Sequence, residues 1–329
     1  MLAAMRILPT TLLLLIVLLA GLAGPGAADE EAGPPGRGPR GLGDGPGAGL
    51  PAEILARQST APIEMPTSKE AVHHAILASA QAAAQLLHPS WHTGRRLRGP
   101  ADHATIQAAV DAAKPRDVVV VAPGTYFELV VMKDGVRLTS AIGTEGREPV
   151  AVEGARLMLP RRALVTIIDG SHSKPSKHGL IDFVPGTGRH TVVDGFTLRN
   201  LPEQNHHLPG HAHAVNMRGA SAVITNCLIE DNGSTGIGNH VVYRDQGEPI
   251  EKRDFRSANV AHPAEGVIYR NIVRGNLGRG IGCNHLSAPW ILGNEVCGND
   301  DSALGKPGPG IGGKHGAAPQ IIGNVVHDN

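Results

Sequence analysis

Short apolar segments separated by Asn and Gly recur along the carboxyl-terminal part of the chain. Asn271, Asn294 and Asn324 each have an apolar residue two positions later and a second Asn five positions later. The copies follow one another after 23 and then 30 residues, the longer interval holding an insertion at 302–308. Repeats of this length predict stacked coils built from short strands, because no single repeat can bury its own apolar side.

The recurring Asn residues predict a ladder of side chains. Coils of a parallel β-solenoid lie about 4.8 Å apart, so an Asn amide can donate to one neighbouring coil and accept from the other. Asn also tolerates the left-handed backbone of tight turns. Upstream, Asp194 with Asn200 and Asn226 with Asn232 have a spacing of six, and we expect them to continue the same register. The ladder favours a structural role for these residues over a catalytic one.

A second pattern places histidines at a fixed distance before the first Asn of each repeat. His285 and His315 each follow a Gly-Ile-Gly segment and lie nine residues before Asn294 and Asn324, and His262 lies nine before Asn271. The register therefore predicts that His262, His285 and His315 stack in one row. Such a row could supply a general base or a metal ligand, or it could close the turns through bonds to backbone carbonyls.

The amino-terminal hundred residues follow a different pattern. An apolar run and the small residues before Asp29 predict a signal peptide over residues 1–28. Residues 29–66 are rich in Gly and Pro, which predicts a disordered linker. Residues 67–98 predict an amphipathic helix, opened by a capping box at Thr67, and a connection. We expect a secreted, periplasmic or cell-surface protein without stable membrane insertion after cleavage.

Composition agrees with a solenoid. The chain has 43 Gly and 25 Pro, and only 3% of its residues are aromatic, which suits many turns around an aliphatic core. Lys and Arg number 30 and so do Asp and Glu, so no long-range field favours nucleic acid as a partner. The three cysteines, Cys227, Cys283 and Cys297, differ in their positions within the repeat, so no disulfide framework is predicted.

The solenoid is predicted to begin near residue 99. A short amphipathic helix from Ile106 is followed by a buried strand at Val118–Val121 and a turn that ends at Glu128. These segments, with the repeats, resemble the right-handed parallel β-helix proteins of the pectin-lyase-like superfamily over residues 99–329. The resemblance implies an all-β solenoid of roughly eight to ten coils, with a helix capping the first coil. It also implies a protein that handles polysaccharide, because many members cleave or epimerise polyuronides.

Candidate catalytic residues lie at the end of the second Gly-Ile-Gly repeat. Strand alternation places Lys314 outward, above Asn284 of the previous coil. A polyuronide lyase needs a cation to neutralise the uronate carboxylate and a base to remove the α-proton. We therefore predict Lys314, His315 and His285 as catalytic residues, and Asn284 and Arg279 as substrate-binding residues. A solvated charged loop is the alternative interpretation.

Two further groups could hold metal ions. Asp300 and Asp301 open the insertion of that coil and could bind Ca²⁺. His211 and His213 alternate along the chain, a spacing that suits Zn²⁺ or Cu²⁺. The alternatives to an enzyme on acidic glycans are therefore a non-catalytic polymer-binding solenoid and a periplasmic metal-handling protein.

Two further predictions concern a long insertion and the last residue of the sequence. The charged insertion at 241–259 interrupts the coils and could either build a binding groove or form a solvated flap. Asn329 falls on the ladder in mid-coil with no cap after it, so we expect a truncated chain or an end that a partner covers.

Overall fold

The computed structural model describes residues 91–141, 145–203, 212–245, 247–248, 252, 254–300 and 308–329. The predicted signal peptide, linker and amphipathic helix lie outside these residues. The first strand, β1 (Arg96–Gly99), begins three positions before the predicted start of the solenoid at residue 99. No helix among the described residues is long and apolar enough to cross a membrane.

Three parallel sheets run along the described part of the chain. Sheet A contains β1, β2 (Val118–Val121), β5 (Arg137–Ser140), β10 (Val192–Asp194), β13 (Val223–Thr225), β18 (Val267–Tyr269), β21 (Trp290–Leu292) and β24 (Gln320–Ile322). Sheet B contains β3 (Gly124–Tyr126), β8 (Thr166–Asp169), β11 (Thr197–Arg199), β14 (Leu228–Glu230), β19 (Ile272–Arg274), β22 (Glu295–Cys297) and β25 (Val325–His327). Sheet C contains β4 (Val130–Met132), β9 (Ile181–Phe183), β12 (Val215–Arg218), β15 (Ile237–His240), β20 (Ile281–Asn284) and β23 (Ile311–Lys314).

Each full coil supplies one strand to sheet A, then one to sheet B, then one to sheet C. The coil formed by β18, β19 and β20 is followed by the coil of β21, β22 and β23, and each strand pairs in parallel with its counterpart. The strands have three or four residues because the chain must turn at every corner of the coil. The predicted right-handed parallel β-helix is confirmed, and its eight sheet A strands agree with the predicted number of coils.

The core is a set of aliphatic columns inside the three sheets. In sheet A, Val193, Ile224, Ile268 and Ile291 occupy successive positions of one column, and all four are completely buried. A fully buried Val or Ile side chain contributes about 1.5–3 kcal/mol. Because each coil repeats the same inward positions, the core extends along the axis of the solenoid.

A helix closes the amino-terminal end of this core, as predicted. Helix α1 (Ile106–Ala112) begins after Thr105, whose side chain accepts a hydrogen bond from the backbone N–H of Ala108. The carboxylate of Glu128 accepts bonds from the first two backbone N–H groups of the helix at 3.0 and 3.1 Å. These contacts satisfy donors that a helix leaves free at its start. The apolar side of α1, including Ile106 and Val110, is buried against the first coils.

Two Asn ladders lock two corners of the coils. Between sheets A and B, the side-chain N–H₂ of Asn271 donates to the side-chain oxygen of Asn294 at 3.0 Å, and Asn294 donates to Asn324 at 2.9 Å. At the end of sheet B a second ladder is formed by Asn232, Asn276, Asn299 and Asn329. The backbone N–H groups of Asn271 and Asn276 donate to the same side-chain oxygens, so the ladders also supply hydrogen-bond partners to buried main-chain groups.

The predicted continuation of the ladder through Asn200 and Asn226 is wrong by one residue. Their places in the ladders are taken by Leu201 and Cys227, whose backbone N–H groups donate to the Asn of the next coil. Asn200 and Asn226 instead hold the left-handed positions just before it, with φ of 59° and 54°. The left-handed backbone therefore belongs to the residue that precedes each ladder Asn, and Asn226, one place early, lies six rather than five residues before Asn232. Asp194 is also outside the ladder, since it ends β10 two places before the ladder register.

Two excursions leave the coils. The first holds a hairpin of β6 (Pro149–Ala151) and β7 (Met158–Pro160) and helix α2 (Arg161–Val165), and it packs on the outside of sheet B. Arg162 anchors it: its guanidinium lies 2.6 Å from the buried carboxylate of Asp194. The second excursion leaves after β15 and contains the antiparallel pair β16 (Val242–Tyr243) and β17 (Val260–His262). Short 3₁₀ turns lie at Glu145–Arg147, Gly170–His172 and Ser257–Asn259.

Candidate functional site

Polar and charged side chains form a column on the outer face of sheet C. The strand register places Arg218, His240, Asn284 and Lys314 one above another on four successive coils. Their outward direction follows from alternation, since Ile281 and Cys283 on the same strand contribute to the core. Lys314 lies above Asn284, as the sequence predicts. Asn284 is only 7% exposed, whereas Lys314 is exposed.

A column of glycines runs beside these residues. Gly238, Gly282 and Gly312 are aligned in the register of sheet C. A Cβ at Gly238 would lie 1.8 Å from the ring of His213, and one at Gly312 would lie 3.1 Å from Cδ of Arg279. The glycines therefore let the His213 ring and the Arg279 side chain lie flat against the strands. Arg279 is half-buried, and its Nε has no hydrogen-bond partner.

His285 and His315 lie one position past the polar column, in the turns that lead from sheet C to sheet A. Both have left-handed backbone, with φ of 49° and 55°, and their ring centroids are 4.6 Å apart. His315 is exposed. Partial burial and the nearby charges of Lys314 and Arg279 lower the pKa of His315, which favours the neutral form of this imidazole near pH 7.

The stack predicted for His262 is wrong. His262 belongs to β17 of the second excursion and lies against Gly186 and Gly219. His240 instead adjoins the row, its ring centroid 6.4 Å from that of His285. Counting nine residues back from Asn271 fails because the excursion inserts its hairpin before sheet A resumes.

His213, predicted as a metal ligand with His211, contacts His240. The two Nε2 atoms are 2.9 Å apart, so one ring donates its N–H and the other accepts. His211 lies outside the described residues. Within the part of the chain that the structure describes, no third His, Cys or carboxylate ligand atom converges on this pair. The contact joins His213 to the polar column, to which His240 of β15 belongs.

A buried carboxylate continues the outer face towards the amino-terminal coils. Asp182 points outward from β9 and is aligned with Asn216 of the next coil. Its carboxylate lies 2.6 Å from Nδ1 of His178 and accepts a bond from the backbone N–H of Gly179 at 3.1 Å. Burial raises the pKa of Asp182, although the His178 and backbone bonds oppose the shift. The sequence prediction missed this pair, whose one signal is a His and an Asp four residues apart before an apolar strand.

The second excursion, which contains the insertion at 241–259, packs over the histidines. This packing argues against the interpretation of the insertion as a solvated flap. Phe255 stacks on His285 with ring centroids 5.5 Å apart, and Tyr243 meets Phe255 edge-on at 5.3 Å. Tyr243 also belongs to a small apolar cluster with Val241 and Ala264. The hairpin therefore forms a wall at the carboxyl end of the sheet C strands rather than a solvated flap.

Of the two acidic residues predicted to bind Ca²⁺, one lies among the described residues. Asp300 is exposed, and its backbone bonds to Asn276 and Gly278 of the preceding coil. Asp301 lies outside the described residues. The Ca²⁺ site remains a prediction.

Residues 99–251 match the family model "Protein of unknown function (DUF1565)". No curated protein matches significantly. Among solved structures, the chain is similar to the A-module of the mannuronan C-5 epimerase AlgE4 of Azotobacter vinelandii, with 18% identity and a TM-score of 0.33 over 60% of this chain. The match covers 54% of that module's chain, about half of its length. The family model covers less than half of the chain, and the parallel pairing of the three sheets by itself identifies the fold as a parallel β-helix.

Proposed function

We propose that the outer face of sheet C binds an acidic polysaccharide and cleaves it by β-elimination. The observation that carries this proposal is the exposed pair at the end of β23: the cation of Lys314 adjoins a His315 imidazole whose pKa is lowered. A cation beside a neutral base is what removal of a proton next to a carboxylate requires. Arg218 and Arg279 add positive charge on the same face.

The chemical step assigns one role to each group. Lys314 neutralises the uronate carboxylate, which makes the proton on the adjacent ring carbon more acidic. The neutral imidazole of His315 takes that proton, the electron pair forms a carbon–carbon double bond, and the glycosidic C–O bond on the far carbon breaks. A protonated His285, whose ring lies 4.6 Å from that of His315, gives its proton to the leaving oxygen, and the proton held by His315 then replaces it. The products are a shortened chain and an unsaturated uronate.

The remaining residues position the polymer. Arg279 lies across the glycine column and is close enough to His315 to lower its pKa, so it can share the carboxylate with Lys314. Asn284 is nearly buried beneath Lys314, which suits a supporting contact at the base of the site. The wall of Tyr243 and Phe255 bounds the face at the sheet C to sheet A corner. A secreted, periplasmic or cell-surface location would bring such a site to its substrate.

The test is a screen of pectate, alginate, heparinoids and hyaluronan, with and without Ca²⁺. β-Elimination creates a conjugated double bond, so product formation is followed by ultraviolet absorbance. Lys314→Ala and His315→Ala should each lower turnover by about 10²–10⁴-fold. The matched control is Lys114→Ala, which removes an exposed Lys near the amino-terminal end of the solenoid and should leave the rate unchanged.

The outcomes separate the alternatives. Activity that survives both substitutions would place the chemistry elsewhere on the solenoid. Polymer binding that is lost in Lys314→Ala, without cleavage of any polymer, would favour the non-catalytic binding protein. Stoichiometric Cu or Zn that is lost when His211 and His213 are changed to Ala would favour the metal-handling protein.

The pH dependence supplies a further prediction. Because Lys314 helps to lower the pKa of His315, Lys314→Gln should raise that pKa. The wild-type base is neutral at and above pH 7 and becomes protonated only below the ordinary histidine value of 6.5. NMR titration of the His315 ring, assigned by its loss in His315→Ala, measures the shift directly. An unchanged pKa in Lys314→Gln would contradict the proposed pairing.

A further inference from the structure

Three metal-binding side chains converge on the outside of sheet B, on a different face from the site above. Glu295 and Cys297 alternate along β22 and therefore share its outer side. His327 of β25 is the register partner of Cys297 on the next coil. One ligand atom of each residue lies within 4.8 Å of the other two, and among the described residues no other group of three such side chains comes this close.

Two of the three ligands are already oriented by groups behind them. Asp328 lies 2.7 Å from Nδ1 of His327, which directs Nε2 towards Glu295 at 3.1 Å. A carboxylate on the far nitrogen of a histidine is the usual support for a metal-bound imidazole. The carboxylate of Glu295 is fixed by the backbone N–H groups of Arg156 and Leu157 in the first excursion.

The charges around the cluster are compatible with a cation. Arg274 lies directly behind Cys297 in the register, but its guanidinium is bonded to Glu230 at 2.8 and 2.9 Å and to the backbone carbonyl of Glu153. The carboxylate of Glu295 therefore adds negative charge between the ligands, and that of Asp328 supports the His327 ring from its far side. The His327 side chain is 25% exposed, which gives an ion a path from solvent.

We propose that Glu295, Cys297 and His327 form a zinc site. Sulfur, imidazole and carboxylate are the ligands that Zn²⁺ takes in proteins, and three of them leave a fourth position for water. The ion would join β22 to β25 and, through Glu295, to the first excursion. The competing interpretation is that Glu295 only anchors the excursion through its backbone bonds, with His327 as a hydrogen-bond partner. That interpretation gives no role to Cys297, so the thiol distinguishes the two.

The experiment uses the full-length chain, freed of metal by a chelator and titrated with Co²⁺, whose bond to a thiolate produces a near-ultraviolet charge-transfer band. We expect one equivalent of Co²⁺ to generate the band and Zn²⁺ to displace it. Cys297→Ser should abolish the band, and Asp328→Asn should weaken Co²⁺ binding by about 10–100-fold. The matched control is Cys283→Ala, because Cys283 points into the core and should leave the band intact.

Two results would overturn the proposal. One is the absence of a thiolate band in the wild-type chain at saturating Co²⁺, which would leave Glu295 as an anchor alone. The other is a band that persists in Cys297→Ser. A band that is lost in Cys297→Ser but retained in His213→Ala would support this site and separate it from the imidazole pair at sheet C.

Discussion

The Asn ladder allows a stability prediction worked from individual bonds. Asn271 is completely buried, and its side chain makes three bonds: it accepts from the backbone N–H of Cys227 and donates to the carbonyl of Ile224 and the side-chain oxygen of Asn294, each at 3.0 Å. Asn271→Ala removes all three and leaves the buried backbone N–H of Cys227 without this partner. The two bonds that Asn271 donates contribute about 1 kcal/mol each and the orphaned N–H costs about 1–3 kcal/mol, so we expect a loss of about 3–5 kcal/mol.

The assay is guanidinium chloride unfolding followed by far-ultraviolet circular dichroism, with hydrogen exchange to locate the loosened coils. Asn271→Asp should destabilise the protein more than Ala, because a carboxylate would face two oxygen acceptors. Arg270→Gly is the control in the same turn: Arg270 has a φ of 54°, and its column continues as Gly293 and Gly323. That change should leave stability within about 1 kcal/mol. A loss below about 1 kcal/mol for Asn271→Ala would refute the reasoning.

Two further predictions concern the anchors of the excursions. Asp194 is buried, and although burial opposes its ionisation, Arg162 and Arg137 lower its pKa below 3.8. The stability from this carboxylate is thus present above the unfolded pKa and is lost as pH falls through the lowered folded pKa. Asp194→Asn should cost about 3–5 kcal/mol in urea unfolding at pH 7 and less at pH 3, and an equal cost at both would contradict this. Burial, then the charges of Asp254 and Asp245, raises the pKa of Tyr243 to about 12. Phe255→Ala should lower it towards 10 in a spectrophotometric titration, and an unchanged value would exclude the packing described here.

The repeats were sufficient to predict the fold because a solenoid makes the same contacts in every coil. The interval from Asn271 to Asn294 sets the length of a coil, and the ladder bond between these residues is found where the spacing places it. The same logic places Asn284 beneath Lys314 and His285 beside His315. Each of these relations joins equivalent positions of adjacent coils, so the sequence spacing contains it.

The contacts that the sequence did not predict join segments that do not occupy equivalent positions of adjacent coils. His213 contacts His240 of the neighbouring coil across Gly238. His178, in the loop before β9, contacts Asp182. The period of the sequence repeat predicts neither contact. Glu295 binds backbone N–H groups of the first excursion, about 140 residues earlier in the chain. Such contacts depend on how an excursion folds back on the coils. The sequence also placed Asn226 in the ladder, one residue from its actual position. The turn position and the ladder position are neighbours that differ in φ, and the spacing of Asn residues does not reveal φ.

The corners of the coil divide structure from chemistry. The corner between sheets A and B and the end of sheet B each contain a ladder of buried Asn, and a change there removes several bonds at once. The corner between sheets C and A has no such ladder among the described coils. Its equivalent positions hold His285 and His315, and the second excursion leaves the solenoid there.

Side chains at this third corner can therefore differ from coil to coil without leaving main-chain groups unpaired. Lys314 and His315 are exposed, and changing exposed residues usually alters stability by less than about 0.5 kcal/mol. We expect the double change Lys314→Ala with His315→Ala to leave the unfolding midpoint almost unchanged while it removes polymer cleavage or binding. A large loss of stability in this double variant, comparable to that of Asn271→Ala, would mean that the third corner is structural after all.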